Sequence, residues 1–370
     1  MAAVPRSLTG NSLETPVEPA RNSRLTVVRS EIVIDCSALR ANVRRLHDVL
    51  AGAQLWAVVK ANGYGHGALT VAETVIEEGA SALCVATLDE AIQLRAHLPE
   101  GRIVVLGPTP ERAHRAAREA RLELVVAETP WPEGIPLHAK VDTGMGRWGL
   151  ADVVASSPDL VGLMSHLASA DSDPEFTELQ IARFAEIAAH HPGLTRHLAN
   201  SAGILRFPAA RFDAGRAGIA LYGLSPFGTE PLLDGLSPVL EWRSELAQVK
   251  LLEAGESSGY GRRFVAAVPT WIGLVPVGYA DGFRRDLTGT HVLVDGERRA
   301  VVGTVSMDSF TVALPGPAAP GTPVTLIGQG LLAEEHAAVA ETITYELVCG
   351  IDSSAPRARR SVQGRRAAEG

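Results

Sequence analysis

Eight short apolar runs, separated by amphipathic or Gly- and Pro-containing stretches, occupy the chain from about residue 30 to residue 245. No other feature narrows the possible folds as much. The runs are LWAVVK (55–60), ALCVAT (82–87), RIVVL (102–106), LELVV (122–126), LHAKVD (137–142), VGLMSHL (161–167), TRHLAN (195–200) and FDAGRAG (212–218). Several are apolar nearly throughout instead of alternating. Such strands are buried on both faces, as in a parallel sheet covered by helices. Between them, TVAETVIEEG (70–79, with Gly79 as a C-cap) and PEFTELQIARFAEIAAHH (174–191) repeat apolar residues at helical spacing. Strand–helix units in this number close into a barrel.

After about residue 245 the texture changes to β-branched runs cut by Gly, Asp-Gly and Pro. VLVDGERRAVV (292–302) reads as a hairpin turning at Asp295-Gly296, and LAEEHAAVAETI (332–343) adds one helix. The expected fold class is therefore α/β: an N-terminal (β/α)8 TIM-like barrel over 27–245 and a C-terminal all-β domain over 246–356. Residues 1–26 are polar, lack the apolar centre of a secretory signal and are expected to be a disordered extension. The Arg-rich segment 357–370 is expected to be a solvated tail.

A chain of 370 residues is long enough to bury two cores. Its net charge of −8, with no basic stripe, gives no support to nucleic-acid binding. No apolar run is long enough to span a bilayer, so no membrane partner is expected. The cysteines (Cys36, Cys84 and Cys349) are odd in number and widely spaced. That pattern argues against a disulfide framework and against a CxxC metal site, and it fits a reducing, cytoplasmic location with no metal.

Barrel active sites form at the C-terminal ends of the strands, and unusual polar residues collect there. Lys60 closes the first run, Asp142 the fifth, His166 the sixth, Asn200 and Ser201 the seventh, and Arg216 the eighth. Lys60 stands in AVVKANGYGHG (57–67), at a mouth where desolvation makes a lysine a usable nucleophile or base. Gly63, Gly65 and Gly67 would let backbone amides approach a phosphate. Ser201 is a candidate helix N-cap, and the amides of Gly218 and Ile219 could serve the same phosphate. Arg147, in the Gly-rich DTGMGRWG, suits a carboxylate. Lysine, phosphate cradle and carboxylate-binding arginine together suggest pyridoxal phosphate held as a Schiff base.

With these residues the chain resembles bacterial alanine racemases, from EIVIDCSALRANVRRL (31–46) to TITYELVCGI (342–351). The motifs that carry the resemblance are AVVKANGYGHG (57–67), KVDTGMGRWG (140–149), HLANSAG (197–203), GRAGIALYG (215–223), VGYADGFRR (277–285) and VGTVSMD (302–308). The resemblance implies interconversion of L- and D-alanine, with D-alanine supplied to peptidoglycan. It implies that Lys60 carries the cofactor and serves as one base, and that Tyr279 serves as the second on the opposite face. A phenol is a poor base at neutral pH, so its ionised form needs support; the family provides it through His166 and Arg216. The resemblance also implies that Arg216 faces the pyridine nitrogen, where related decarboxylases place a carboxylate. Tyr64 and Ser201, with the amides of Gly218 and Ile219, are implied phosphate contacts. Arg147 and the backbone of Met307 are implied substrate contacts, and Lys140 matches a lysine carbamylated in some members. A head-to-tail homodimer is implied as well, each β domain covering the partner's barrel mouth.

One departure stands out. Where many members carry Tyr and Arg near the C-terminus, IDSSAPR (351–357) carries Ser353 and Ser354. Extra room there puts strict alanine preference in question and admits a broader small-amino-acid racemase acting on serine. A barrel-type decarboxylase and a non-catalytic carrier of the cofactor are the remaining alternatives. Arg216 and Tyr279 oppose the decarboxylase, and the second domain opposes the carrier.

Overall fold

The computed structural model describes residues 29–153 and 157–366. The expected N-terminal extension and the last residues of the expected tail lie outside the described residues. All eight apolar runs form strands of one parallel sheet: β2 (Gln54–Val58), β3 (Ala82–Val85), β4 (Ile103–Val105), β5 (Glu123–Val126), β6 (Leu137–Lys140), β7 (Leu160–Met164), β8 (Thr195–His197) and β9 (Ala214–Ala217). Their order is β8-β7-β6-β5-β4-β3-β2-β9. The ring closes between β8 and β9 through isolated bonds instead of a full ladder. Asp213 N donates to Arg196 O at 3.1 Å and Arg216 N to Ala199 O at 2.9 Å. The Arg196 guanidinium forks onto Asp213 at 2.7 and 2.8 Å across the same seam.

The outer helices are fewer than a full set. Before the first barrel strand come β1 (Glu31–Asp35) and α1 (Cys36–Leu50), the latter capped by the Asp35 carboxylate. The short turn α2 (Lys60–Tyr64) and helix α3 (Ala68–Glu77) follow β2, α4 (Leu88–His97) follows β3, and α5 (His114–Glu119) follows β4. Later, α6 (Pro174–Ala189) follows β7 and α7 (Ser201–Arg206) follows β8. Among the described residues no helix connects β5 to β6 or β6 to β7. The first of these links reads ETPWPEGIP (128–136), and its prolines remove amide donors at close intervals.

The second unit is built on a nine-stranded sheet of order β11-β14-β17-β16-β15-β18-β10-β1-β19. Its strands beyond β1 are β10 (Leu240–Glu245), β11 (Gln248–Leu252), β14 (Thr270–Val275), β15 (His291–Val294), β16 (Glu297–Val302), β17 (Phe310–Leu314), β18 (Pro323–Ile327) and β19 (Arg359–Gln363). The short pair β12 (Ser257–Ser258) and β13 (Phe264–Val265) stands apart. The β15–β16 hairpin turns at Asp295 (φ 51°) and Gly296 (φ 80°), as the Asp-Gly pair predicts. Helices α8 (Ala333–Val339) and α9 (Thr344–Cys349) follow β18.

Three expected boundaries move. β1 lies within the expected barrel segment 27–245 but pairs with β10 and β19 in the nine-stranded sheet. The same pairing takes β10 out of the barrel. The Arg-rich segment from 357 is not wholly a solvated tail, because Arg359–Gln363 runs parallel to β1 as the sheet's last strand. Its pattern hid this: an edge strand paired on one side can keep most of its side chains in water.

Helix α9 wedges between the two units. A Cβ placed on Gly65 of the barrel loop would fall 2.3 Å from Val348 O, and one on Gly282 would fall 2.5 Å from Gly350 O. Asp352 N donates to Asp281 O at 3.0 Å. The Gly282→Ala variant must therefore move backbone, at a residue whose φ is 102°. It is expected to lose about 2 kcal/mol or more of unfolding free energy in a denaturant titration; an unchanged midpoint would contradict this packing.

Candidate active site

Lys60 is the first residue of a left-handed turn. Ala61, Asn62, Gly63, Tyr64 and Gly65 all have positive φ, between 51° and 80°. Gly63 N donates to Val59 O at 2.9 Å and Gly65 N to Ala61 O at 3.0 Å. For L-residues this hand costs roughly 1–2 kcal/mol each, so the turn needs anchors. The Glu90 carboxylate supplies one, accepting from Ala61 N at 2.7 Å, Ala86 N at 2.8 Å and Thr87 N at 3.1 Å. Asn62 Oδ1 accepts from Ala68 N at 3.0 Å at the far end. The amides of Gly63, Gly65 and Gly67 are all spent on carbonyls within this loop, so they do not form the phosphate cradle expected of them.

The cradle forms opposite. Ser201 Oγ accepts from Gly218 N at 3.0 Å and from Ala220 N at 3.3 Å. A Cβ on Gly218 would lie 2.5 Å from the Tyr64 hydroxyl oxygen. The Ser201 and Tyr64 hydroxyls thus flank Gly218 where only a missing side chain leaves room, which fits a phosphate. Ala220, not Ile219, shares the Ser201 hydroxyl, and Ile219 is the next residue along this segment. Ser201 is not the N-cap of α7: Asn200 is, accepting from Gly203 N at 2.9 Å.

Arg216 is buried beneath the mouth. Its Nη1 donates to His197 O at 2.5 Å, and its Nη2 to Ser165 O at 2.8 Å and Leu198 O at 3.2 Å. No carboxylate pairs with it among the described residues. Burial lowers it to about 10, so it stays cationic at neutral pH. It also touches two imidazoles, His197 Nδ1 at 3.0 Å and His166 Nδ1 at 3.2 Å. A guanidinium can only donate, so both Nδ1 atoms accept and both Nε2 atoms carry the hydrogen. From His197 the bonds run on to His138 Nδ1 at 3.0 Å, and from His138 Nε2 to Glu123 Oε2 at 2.8 Å. Arg102 forks onto Glu123 at 2.8 and 2.9 Å. A directed hydrogen-bond column thus fills the barrel axis, with Trp56 4.4 Å from the His197 ring.

Glu123, His138 and His197 were not singled out from the sequence. Their signal was a polar letter within the otherwise strand-like runs LELVV, LHAKVD and TRHLAN. Each reads alone as a tolerated core residue; only the closed sheet stacks them.

His166 is neutral. Its burial, then the charges of Arg216, Arg147, Lys60 and Lys140, hold it at about 3. Its Nε2–H has no acceptor among the described residues. Lys140 is buried, its Nζ donating to Trp148 O and lying 5.0 Å from the Trp148 ring. Burial, then Arg147 and Arg216, push its pKa down. Asp142 shapes the loop that presents Arg147, accepting from Gly144 N at 2.9 Å and Gly146 N at 3.0 Å. Arg147 itself is exposed, with no ion pair among the described residues.

Tyr279 and Met307 lie in the β domain, on two loops stitched by Tyr279 N to Ser306 O at 3.1 Å and Ala280 N to Met307 O at 3.0 Å. Beneath them the buried Asp281 accepts from Gly278 N at 2.8 Å and pairs with Arg29 at 3.3 Å and Arg357 at 3.5 Å. Asp308 pairs with Arg357 at 2.6 Å. Tyr279 and Met307 are 42% and 52% exposed, and neither bonds a barrel residue of this chain among the described residues. The structure therefore gathers Lys60, Tyr64, His166, Ser201, Arg216 and Gly218 at the barrel mouth, while Tyr279 and Met307 stand exposed in the β domain.

Two family models match the chain: the alanine racemase N-terminal domain over residues 34–226 and the alanine racemase C-terminal domain over 239–359. The chain belongs to the alanine racemase family. It is 40% identical over 355 residues to the alanine racemase of Geobacillus stearothermophilus, covering 88% of this chain and 92% of that one. The alanine racemase structure from Streptomyces coelicolor A3(2) superposes with a TM-score of 0.84 at 37% identity, covering 92% of this chain and 99% of that one. The alanine racemase of Bartonella henselae with covalently bound pyridoxal phosphate superposes with a TM-score of 0.80 at 29% identity, covering 90% of this chain and 99% of that one.

The column has a pH signature. Burial lowers His138 and His197, and His166 lies at about 3, against 6.5 for a free imidazole. Below about 6.5 the unfolded chain therefore binds protons that the native state refuses, and stability falls with pH. Glu123, held at about 2 against burial by its bonds to His138 and Arg102, adds a further loss as pH drops from about 4.5 toward 2. Denaturant midpoints measured from pH 7.5 to 4 should decline. The His197→Asn variant should lose about one proton of that slope, about 1.4 kcal/mol per pH unit. An identical slope in the variant would contradict the neutral column.

Proposed function

We propose that the protein interconverts L- and D-alanine with pyridoxal phosphate, using Lys60 and Tyr279 as bases on opposite faces of the substrate. The carrying observation is the buried Arg216, satisfied by carbonyls and imidazoles, beneath a mouth that presents Lys60 and the Ser201–Gly218 cradle. When bound, the cofactor supplies a conjugated ring that takes up the electron pair left on Cα as its proton departs.

Tyr64, Ser201 and the amides of Gly218 and Ile219 would hold the phosphate. Lys60 would hold the cofactor through its amine and, once displaced by the substrate amine, take or return the Cα proton on one face. Arg216 would stand against the ring nitrogen. Because it cannot readily give up a proton there, it keeps the ring a weak electron sink. A weak sink favours prompt return of the proton over loss of CO2, and this sets the racemase above the decarboxylase reading. Arg147 and the Met307 backbone would bind the substrate carboxylate. Neutral His166, donating through Nε2, would stabilise the ionised Tyr279 phenol.

Exposure of Tyr279 and Met307 supports a head-to-tail homodimer in which each β domain closes its partner's barrel mouth. Unpaired cysteines and the absence, among the described residues, of any helix long and apolar enough to cross a membrane agree with a cytoplasmic enzyme. Its D-alanine would enter peptidoglycan. Substrate range is set beside Tyr64, whose ring lies 5.9 Å from Tyr345. Ser353 in place of a bulkier residue leaves room for serine.

Exchange of the α-proton of L- and D-alanine in D2O tests the assignment. Lys60→Ala and Tyr279→Phe should each slow exchange from one enantiomer, on the order of 100-fold more than from the other. Equal losses from both, or release of CO2, would contradict it. L-serine should also racemise, more slowly than L-alanine; turnover of alanine alone would refute the wider range.

A further inference from the structure

Two buried acceptors face one small cavity between the barrel loop and the β domain. His66 is 0% and Glu334 6% exposed. His66 Nδ1 lies 2.8 Å from Tyr64 O. A carbonyl only accepts, so Nδ1 carries the hydrogen and Nε2 is left as a bare acceptor. Burial holds His66 at about 4, which keeps Nε2 bare at neutral pH. Glu334 spends Oε1 on Ser225 N at 3.0 Å. Its Oε2 and His66 Nε2 are both buried without a protein partner, and no cation pairs with Glu334 among the described residues.

Both side chains line the same cavity, closed by Leu224, Pro238, Ile327 and Val348. The space open to the centre of a water there is about 10 Å3, roughly what one molecule needs. Burial raises the Glu334 carboxyl, but while ionised it only accepts, and two acceptors do not bond each other. A molecule of that size with two hydrogens satisfies both.

We propose that a single buried water sits in this cavity and donates one hydrogen to His66 Nε2 and the other to Glu334 Oε2. It latches the barrel loop Lys60–Gly67 to helix α8 of the β domain. His66 in turn holds the carbonyl of Tyr64, a residue at φ 51°, so the latch positions the Tyr64 side of the cradle. That last consequence rests on the function proposed above; the water does not.

A crystal structure of the wild-type protein tests the water directly. Density is expected within about 3.2 Å of both atoms. No density there, or a carboxyl bonded straight to Nε2, would overturn the proposal. Binding of pyridoxal phosphate to the cofactor-free protein, followed by fluorescence quenching, tests the latch. Glu334→Leu, which removes the acceptor of Ser225 N together with that of the water, should weaken it on the order of fivefold or more. Glu334→Gln, whose Oε1 can still accept from Ser225 N and whose amide NH2 can donate to the same water, should bind as the wild type does, and it tests the latch if the leucine variant does not fold. Wild-type affinity in folded Glu334→Leu would refute the latch. A wild-type protein that binds no pyridoxal phosphate would remove the functional reading and leave the water to be judged by its density.

Discussion

A guanidinium buried in a barrel without a carboxylate to answer it is the constraint on which the site depends. A buried charge is tolerated only when its donors are satisfied. Arg216 meets that condition with three carbonyls and two imidazole nitrogens. Because it only donates, it dictates the tautomer of every imidazole in line with it. His197 must pass a hydrogen to His138, and His138 must pass one to Glu123. At the far end Arg102 neutralises Glu123. The surplus positive charge therefore stays under the mouth, where an anionic phosphate and a carboxylate are expected to bind.

The second constraint is backbone strain beside Lys60. Three L-residues in the left-handed region (Ala61, Asn62 and Tyr64) cost on the order of 3–6 kcal/mol together. The cost is offset by contacts that converge on the turn from three directions. Glu90 ties it to the next strand–helix connection, α9 packs its backbone against Gly65, and Arg360 of the last strand donates to Gly65 O at 2.5 Å. Such strain survives only where surrounding structure over-determines it, and here both units contribute. The same helix α9 also abuts Gly282, next to the Tyr279 turn. The Lys60 and Tyr279 turns of one chain are thus packed against a common segment.

Much of this was legible in the sequence, because the strands are short, apolar nearly throughout and separated by strong breakers. Even LHAKVD and FDAGRAG, whose apolar pattern is interrupted by charged residues, are barrel strands. What the sequence concealed depends on partners distant along the chain. β19 exists because β1 offers it an edge. The Ser201 hydroxyl is turned from capping its own helix toward Gly218 and Ala220 by closure of the barrel between β8 and β9. The glycines after Lys60 looked like amide donors for a ligand, but a left-handed turn consumes those amides internally. His138 and His197 acquire meaning only when the ring stacks them beneath Arg216.

That burial, with Arg216 beside them, keeps the imidazoles of the site neutral can be tested most directly by 15N NMR of protein labelled at its histidine rings. His166 and His197 should each show one protonated Nε2 and one bare Nδ1 from pH 8 down to about 5, at which free imidazole is already charged. A doubly protonated signature from His166 at pH 6 would contradict it.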